Sequence, residues 1–582
     1  MSDASTVAAW PVMSLAQAHA LMTAPGTPFE VAETMVHGHS ARVWKNAPPT
    51  MRDVFVAARS AHGAKTFLVY EDERASVEDF ARATLTLARA LAAMGVGKGD
   101  RVALAMRNLP EWPVVVMATL LLGAIAAPLN AWGTGPELVY GLRDSGSRVA
   151  VLDAERWVRV EPLRSEAPAL QQVLVSRGTE PLGPGLARSL ASIIGPTALW
   201  ATLPDLALPD VTLEPDDDAT LLYTSGTTGA AKGALATHRC CTSTLMAGSF
   251  AMQRNFVRRG EPVPDPAARA TQRALLLAVP FFHTTGCHVV LFGALHNGAK
   301  LVLMHHWDPE RAMQLIQAER VTQAGGVPTI AWQLIEHPAR PEYDLSSLES
   351  VSYGGAPASS ALVQRIREVF PLALPGIGWG MTETSGTFTQ HSAEDYAQRP
   401  DSAGPCLPVG QMKITDDDGR DLATGEVGEL WVKGPNVIKG YWNKPEDQAR
   451  AFSDGWLRTG DLGYLDDEGF LFIVDRKKDM LIRGGENIYC AEVEALLYRH
   501  PAVMDAGVIG IAHHTLGEEP AALVTLKEGM QASEDELRAF VRSQTAAFKV
   551  PVRILIRAEP LPRNPNGKLL KKELRQLFAQ AP

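Results

Sequence analysis

The chain lacks the features that mark secreted, membrane-anchored or nucleic-acid-binding proteins. Its five cysteines, Cys240, Cys241, Cys287, Cys406 and Cys490, are scattered through 582 residues. An odd, dispersed set excludes a disulfide framework or a CxxC metal pair and points to a reducing compartment. The N-terminal MSDASTVAAWPVMSLAQAHA has no basic segment leading into a long apolar run, and the C-terminal QLFAQAP carries neither a CaaX box nor an SKL signal. The expected location is therefore the cytoplasm. Excess positive charge is also missing: 55 basic against 65 acidic side chains give a net charge of -10, which disfavours nucleic-acid phosphates and anionic lipid as partners. The one membrane-like stretch, Val114 to Leu129, is slightly too short to span, is bracketed by Pro113 and Pro128, and is interrupted by Gly123. It reads as a buried helix from Pro113 to Leu122, passing through Gly123 as a breaker into a short strand, so no integral membrane segment is expected. Low-complexity segments and 20 to 50 residue repeats are absent as well.

What remains is a soluble globular composition, 46% hydrophobic and 21% charged, in a chain long enough to require two or more domains. Apolar runs at Val102–Ala105, Val149–Leu152, Leu275–Val279 and Leu301–Leu303 alternate with helical patterns at Glu78–Met94 and Pro309–Glu319. This alternation, with unpatterned strands, predicts layers of helix on largely parallel sheet. The polar stretch QRNFVRRGEPVPDPAARATQ reads as an exposed excursion, in which Arg254, Arg258 or Arg259 is a candidate for a ligand phosphate. From Glu426 onward short strands and turns, including the hairpin turn DDEG, predict a small β unit. After the charged run Arg476-Lys477-Lys478-Asp479 comes a compact α/β tail, with helices near Ala491–Tyr498 and Ser533–Ala547 and strands at Asp505–Ile511 and Ala521–Thr525. The fold class is thus α/β: a large multi-subdomain N-terminal domain of layered, mostly parallel sheets plus a β subunit over residues 1–477, and a small α/β C-terminal domain over 478–582.

The segment with the clearest chemistry is Tyr223 to Gly233, YTSGTTGAAKG, directly after the strand-like Ala219–Leu222. It combines three glycines, five hydroxyls and one lysine with no carboxylate. Glycines let backbone N–H groups approach phosphate oxygens, hydroxyls donate further bonds, and Lys232 supplies positive charge, so the loop suits a polyphosphate. The common phosphate loop GxxxxGK[ST] places glycine before its lysine, whereas here Ala231 precedes Lys232 and Gly233 follows it. The loop is of another type.

That loop resembles the signature of the adenylate-forming superfamily, which includes acyl-CoA synthetases, peptide-synthetase adenylation domains and beetle luciferases, with Ala231 standing where proline is usual. Further segments resemble the family in order: PFFHTTG at Pro280–Gly286, Gly354-Gly355-Ala356-Pro357, GWGMTET at Gly378–Thr384, LRTGDLG with Asp461, DRKKD at Asp475–Asp479, GGEN at Gly484–Asn487, and NPNGK ending at Lys568. The match spans roughly residues 50 to 575.

The resemblance implies ATP, Mg²⁺ and coenzyme A as cofactors, a small-molecule carboxylic acid as substrate, and a homodimer as an allowed assembly. Thr224, Ser225, Gly226, Thr227, Thr228, Gly229 and Lys232 would cradle phosphate, and Gly354, Gly355, Ala356, Pro357, Gly378, Trp379, Gly380, Met381 and Thr382 would surround the nucleotide. Glu383 would hold the metal. Trp379, where tyrosine is usual, would lie along the adenine. Asp461 would bond the ribose hydroxyls with Arg476 in support. Lys568 is implied as the mobile catalytic lysine, with Lys232, His283, Thr382 and Glu383 completing the catalytic set. Lys571 and Lys572 are expected on a solvated helix face. Lys478 matches the hinge about which the C-terminal domain would swing, bringing Gly484 and Gly485 to the pantetheine arm. His283, Gly286, Gly326, Val327, Gly354 and Gly378 are implied around the acyl group. No acidic residue occurs in Pro280–Gly286 to meet a substrate ammonium, which disfavours amino acids. The expected function is an ATP-dependent acyl-CoA ligase favouring a fatty acid, with an aryl or steroid-like acid also open. The alternatives are a fatty acyl-AMP ligase loading a separate carrier, or a non-catalytic ATP-binding scaffold.

Overall fold

The computed structural model describes residues 10–178, 185–224, 231–265, 268–355, 360–563 and 568–580. Two eight-stranded sheets form the bulk of the chain. In the first, the strands Asp218–Tyr223, Ile125–Pro128, Arg101–Ala105, Val149–Asp153, Gln172–Ser176 and Ala187–Ser189 run parallel in that spatial order, with Gly233–Thr237 and Gly440–Tyr441 antiparallel at one edge. The second is parallel through Leu374–Met381, Ser350–Gly354, Gln323–Gly326, Ala274–Leu277, Lys300–Leu303 and Thr66–Tyr70, with antiparallel strands Gly386–Ser392 and Glu73–Ser76 at its edges.

Strand residues are buried on both faces, as parallel sheets covered by helices require. Val102 and Leu104 point into the layer shared by both sheets, while Ala103 and Ala105 point outward beneath the helices Gly135–Ser145 and Ala154–Val160. The shared layer is filled by Met51–His62, Val77–Ala93, Glu111–Leu121 and Phe292–Asn297. The membrane-like run resolves as expected: every residue of Glu111–Leu121 is buried, Gly123 takes the left-handed φ of +68° that a side chain resists, and the strand Ile125–Pro128 follows. The outer face of the second sheet carries Pro309–Glu319, Pro328–Glu336 and Ser360–Val369. The result is a layered α/β body in which both sheets have helices on each face.

The predicted β unit is an antiparallel six-stranded sheet built on Gly428–Lys433, Trp456–Leu465 and Phe470–Arg476. Asp466 and Gly469 close the expected turn, Gly469 N donating to Asp466 O. Its last long strand ends at Arg476. The first strand of a separate five-stranded sheet begins at Leu481 and, with the helices Cys490–Tyr498, Glu534–Arg542 and Lys571–Gln580, builds the C-terminal unit. Among the described residues no helix is long and apolar enough to cross a membrane.

The excursion expected at residues 253–272 is corrected in its first third. The helix His238–Arg259 runs straight through it and stops at Gly260 with φ +70°. Phe250, Arg254 and Arg258 recur every four residues and share its buried face. Arg254 Nη2 donates to Gln390 O (2.7 Å), Arg258 pairs with Asp395 (2.8 Å), and Arg259 with Glu394 (2.7 Å). These arginines serve internal contacts, not a ligand phosphate. The polar residues concealed the helical period because two of its core positions are charged.

Candidate functional site

The loop Tyr223–Gly233 connects two antiparallel strands, not a strand and a helix. Tyr223 lies opposite Gly233, and Thr224 N donates to Lys232 O at 2.9 Å. Among the described residues a strand, not a helix, follows Lys232 directly, and this hairpin stem is where the chain departs from the strand-loop-helix phosphate motif. Ser225, Gly226, Thr227, Thr228 and Gly229 lie outside the described residues, as do Ala356 and Pro357. Ala231 is held by its own carbonyl, which accepts a bond from Tyr140 Oη at 3.1 Å. Tyr223 Oη in turn donates to Asp144 Oδ2 at 2.9 Å. Both anchors come from the helix Gly135–Ser145, so the stem is braced from the side.

Lys232 leaves this stem towards two partners more than 200 residues away in the chain. Its Nζ lies 2.8 Å from Asp447 Oδ1 and 5.1 Å from the centre of the Tyr441 ring. Tyr441 Oη donates to Glu383 Oε1 at 2.7 Å. Glu383 sits in the short turn Thr382–Thr384 at the end of the strand Leu374–Met381 and is almost wholly buried. Burial raises its carboxyl above the usual range, against the lowering influence of the Tyr441 hydroxyl, Arg476 and Lys232. A buried carboxylate with one hydroxyl donor retains acceptor capacity, and a hard divalent cation beside phosphate would relieve its desolvation, so the residue fits Mg²⁺.

Asp461 lies across the β unit from Arg476, its register partner, and is 5% exposed. Its Oδ1 faces Arg476 Nε at 3.3 Å and its Oδ2 accepts from Trp379 Nε1 at 2.8 Å. The sequence suggested only a flat face for Trp379; the structure adds a donor edge.

Lys568 comes from the far end of the chain into this same neighbourhood. Burial, then the positive charges of Arg476 and Lys478, lower its amine to about 7, with Asp479 and Asp461 pulling the other way. Lys478 stands in a tight turn in which Asp479 N and Met480 N both donate to Arg476 O. The tail is therefore docked with Lys568 beside Arg476, Lys478 and Asp461. Gly484 and Gly485 are solvent-exposed, at φ +59° and +92° in the turn between Leu481–Arg483 and Glu486–Ile488.

The expectation for Lys571 is corrected. It pairs with Glu494 at 3.3 Å, both side chains 13% exposed, and the ion pair raises its amine against the cost of burial. Lys572 is exposed as expected. Sequence spacing missed the pairing because Glu494 lies on another helix, and missed Asp447 and Tyr441 for the same reason.

Around the expected acyl position the structure separates the residues. Val327 lines a cavity of about 430 Å³ whose walls include Phe282, Met304, Trp307 and Ile330 on the large domain and Leu561 on the tail. Gly326, next to Val327 in the chain, has no room for a side chain: an added Cβ would meet Ile330 Cδ1 at 2.9 Å and Val279 Cγ1 at 3.0 Å. His283 packs against Phe282 with ring centres 4.4 Å apart, and its Nε2 is enclosed without a protein partner. Burial holds the imidazole neutral, at about 3. At Gly286 the missing side chain leaves room for backbone and not for ligand, since a Cβ would fall 2.2 Å from Pro280 O. Gly354 and Gly378 are register partners, and a Cβ on Gly354 would meet Gly378 O at 2.7 Å.

Two features now coincide: a doubly layered α/β body with a docked α/β tail, and a linked set of charged side chains in which Glu383 neighbours Lys232 and Arg476, and Lys568 neighbours Arg476 and Asp461. Comparison with known proteins agrees. Residues 55–442 match the AMP-binding enzyme family and residues 492–568 its C-terminal domain. The long-chain-fatty-acid–CoA ligase FadD13 of Mycobacterium tuberculosis is 34% identical over 491 residues, covering 84% of this chain and 90% of that one. The 2-succinylbenzoate–CoA ligase of Geobacillus kaustophilus is 35% identical over 494 residues, with the same two coverages, 84% and 90%. Among solved structures, the O-succinylbenzoate coenzyme A synthetase of Bacillus subtilis in complex with ATP and magnesium superposes with a TM-score of 0.72 at 31% identity, covering 90% of this chain and 99% of that one. The chain belongs to the AMP-binding enzyme family. Within it, the protein is an AMP-forming acid–CoA ligase.

Proposed function

We propose that the protein activates an apolar carboxylic acid, a fatty acid in the first instance, as its acyl-adenylate and transfers the acyl group to coenzyme A. The observation that carries this reading is the linked set in which Tyr441 bonds Glu383 and lies under Lys232, Arg476 faces Asp461, and Lys568 stands among Arg476, Lys478 and Asp461. Cations from three distant parts of the chain, interleaved with two carboxylates, suit a triphosphate that becomes more negative at its α-phosphate during attack.

In the first step a carboxylate oxygen of the acid forms a bond to the α-phosphorus, and the bond from that phosphorus to the bridging oxygen of pyrophosphate breaks. Lys232 exchanges Asp447 for a phosphate oxygen, Asp461 and Arg476 hold the ribose, and Lys568 places its charge on the oxygens that become negative. Magnesium, when bound at Glu383 with Thr382 beside it, supplies neutralisation of phosphate charge. The neutral His283 adds no charge to the acyl side and offers an enclosed ring nitrogen to a polar group of the acid.

In the second step the thiol sulfur of coenzyme A bonds to the acyl carbon, AMP leaves with the electron pair of the cleaved carbon–oxygen bond, and the thiol proton passes to solvent. This requires a change of position: Gly484 and Gly485, exposed in the arrangement seen, replace Lys568 by rotation about Lys478, which makes residues 1–477 and 478–582 the two moving bodies. The large-domain wall of the cavity at Val327, apolar at Phe282, Met304, Trp307 and Ile330, supports the fatty acid, while Arg107, His305 and His306 line the same cavity. The 2-succinylbenzoate relative supports a ring acid as the second reading.

Pyrophosphate release over a panel of fatty and aryl acids, with and without coenzyme A, tests the proposal. A fatty acid that releases pyrophosphate but yields no thioester with coenzyme A refutes the ligase reading in favour of an acyl-AMP ligase. Lys568→Ala is expected to lower adenylation at least about a hundredfold, the scale of one lost charge contact in the transition state, while sparing thioester formation from supplied acyl-adenylate. Equal loss in both halves removes the role given to Lys568.

A further inference from the structure

The indole of Trp379 is aimed by its edge, and that edge reaches the carboxylate proposed to hold the ribose. We infer that Trp379 is a positioning residue for Asp461, its N–H holding the carboxylate in the orientation that receives the ribose diol of the nucleotide. The inference rests on the reading of Asp461 as the ribose acceptor and on nothing about the acid or the acceptor thiol.

Three observations support it. An aspartate carboxyl rotates easily about its last torsion, because that torsion has no sharp staggered wells. Here both oxygens are anchored from opposite sides, Oδ2 by Trp379 Nε1 at 2.8 Å and Oδ1 by Arg476 Nε at 3.3 Å. Each carboxylate oxygen can accept about two hydrogen bonds, so one site per oxygen remains for the two ribose hydroxyls. The backbone beneath is fixed as well, since Asp461 N donates to Thr459 Oγ1 at 3.1 Å.

The indole cannot easily turn away. It stands edge-on to Phe388, with ring centres 6.2 Å apart and planes at 81°, and Phe388 is 1% exposed in the core of the β unit. Trp379 itself lies opposite Thr389 near a register shift between the strands Leu374–Met381 and Gly386–Ser392, an irregularity that re-aims a side chain. The donor is therefore rigid, charge-assisted and partly shielded from water, the conditions under which one hydrogen bond is worth most. A phenylalanine at this position keeps an aromatic face and loses the donor, so stacking and positioning can be separated.

The test is direct binding of AMP and of 2′,3′-dideoxyAMP to the full chain by titration calorimetry, which needs neither acid nor thiol. Wild type is expected to favour AMP. Trp379→Phe is expected to weaken AMP about tenfold and 2′,3′-dideoxyAMP less than about twofold, the first figure being what one hydrogen bond to a charged group contributes. Asp461→Asn should weaken AMP similarly, and the double variant should lose less than about threefold beyond Asp461→Asn alone, since the two act as one unit. In ATP–pyrophosphate exchange with a turned-over acid, Trp379→Phe should raise the KM for ATP with kcat within about threefold. Equal weakening of both nucleotides makes Trp379 a stacking surface only and overturns the inference, as do additive losses in the double variant. If wild type does not distinguish the two nucleotides, Asp461 is not the ribose acceptor and the inference fails with that assignment. Lack of thioester with every acid, alongside these binding results, would refute the ligase reading and leave the inference standing.

Discussion

Lys568 should titrate near neutrality in the ligand-free protein, and this can be measured without knowing the acid. Its amine is lowered from 10.5 to about 7, first by burial and then by Arg476 and Lys478. At pH 7 about half of these amines are then neutral, against about one in three thousand for a lysine at its ordinary value. A less basic amine is a weaker nucleophile; with a Brønsted slope of about 0.45, as for thiols, roughly 40-fold faster acylation than an ordinary lysine should remain at pH 7. Trace labelling with acetic anhydride between pH 5.5 and 10.5, quantified on the peptide containing Lys568 by mass spectrometry, gives the midpoint. Arg476→Ala should raise that midpoint without restoring the ordinary value, because burial is the larger cause. Bound ATP should raise it as well, since a nearby anion favours the charged amine. The folded value lies below the unfolded one, so between about pH 7 and 10 the unfolded chain binds more protons and this group lets stability rise with pH; below pH 7 its cost is complete. A labelling midpoint above about 9.5 in the ligand-free protein would show that the tail does not dock with Lys568 beside Arg476, and would refute the role given to that lysine.

Asp447→Asn removes the partner for which phosphate must compete at Lys232. A partly exposed pair contributes up to about 1 kcal/mol, so the KM for ATP is expected to fall about two- to fivefold in steady-state assays, and a rise would make Asp447 part of the phosphate site. Asp395→Ala strands Arg258 in an interior where both side chains are 1% exposed; guanidinium unfolding should show a loss of about 3–5 kcal/mol, and a loss below about 1 kcal/mol would mean that water reaches the pair. Gly286→Ala drives a Cβ to 2.2 Å from Pro280 O. Its melting curve should report about 1–3 kcal/mol of destabilisation together with weaker acid binding, since the backbone beside His283 must move; unchanged values of both would show that the segment yields freely.

The sequence by itself determined the layered α/β class, the break at Gly123, the β unit after Glu426, the α/β tail and the ordered family segments. These are legible because they depend on local periods, turn residues and motif order, each carried by neighbours in the chain. It misplaced Arg254 and Arg258, whose charge concealed the buried face they share with Phe250, and it placed Lys571 in solvent. Only the tertiary structure decided the partners: Asp447 for Lys232, Tyr441 for Glu383, Trp379 for Asp461, Glu494 for Lys571. Lys232 and Asp447 are 215 residues apart, and Trp379 and Asp461 82. At such separations a charge or a hydrogen bond finds its partner only after the sheets have packed, because both act over a few ångströms and neither leaves a periodic trace along the chain.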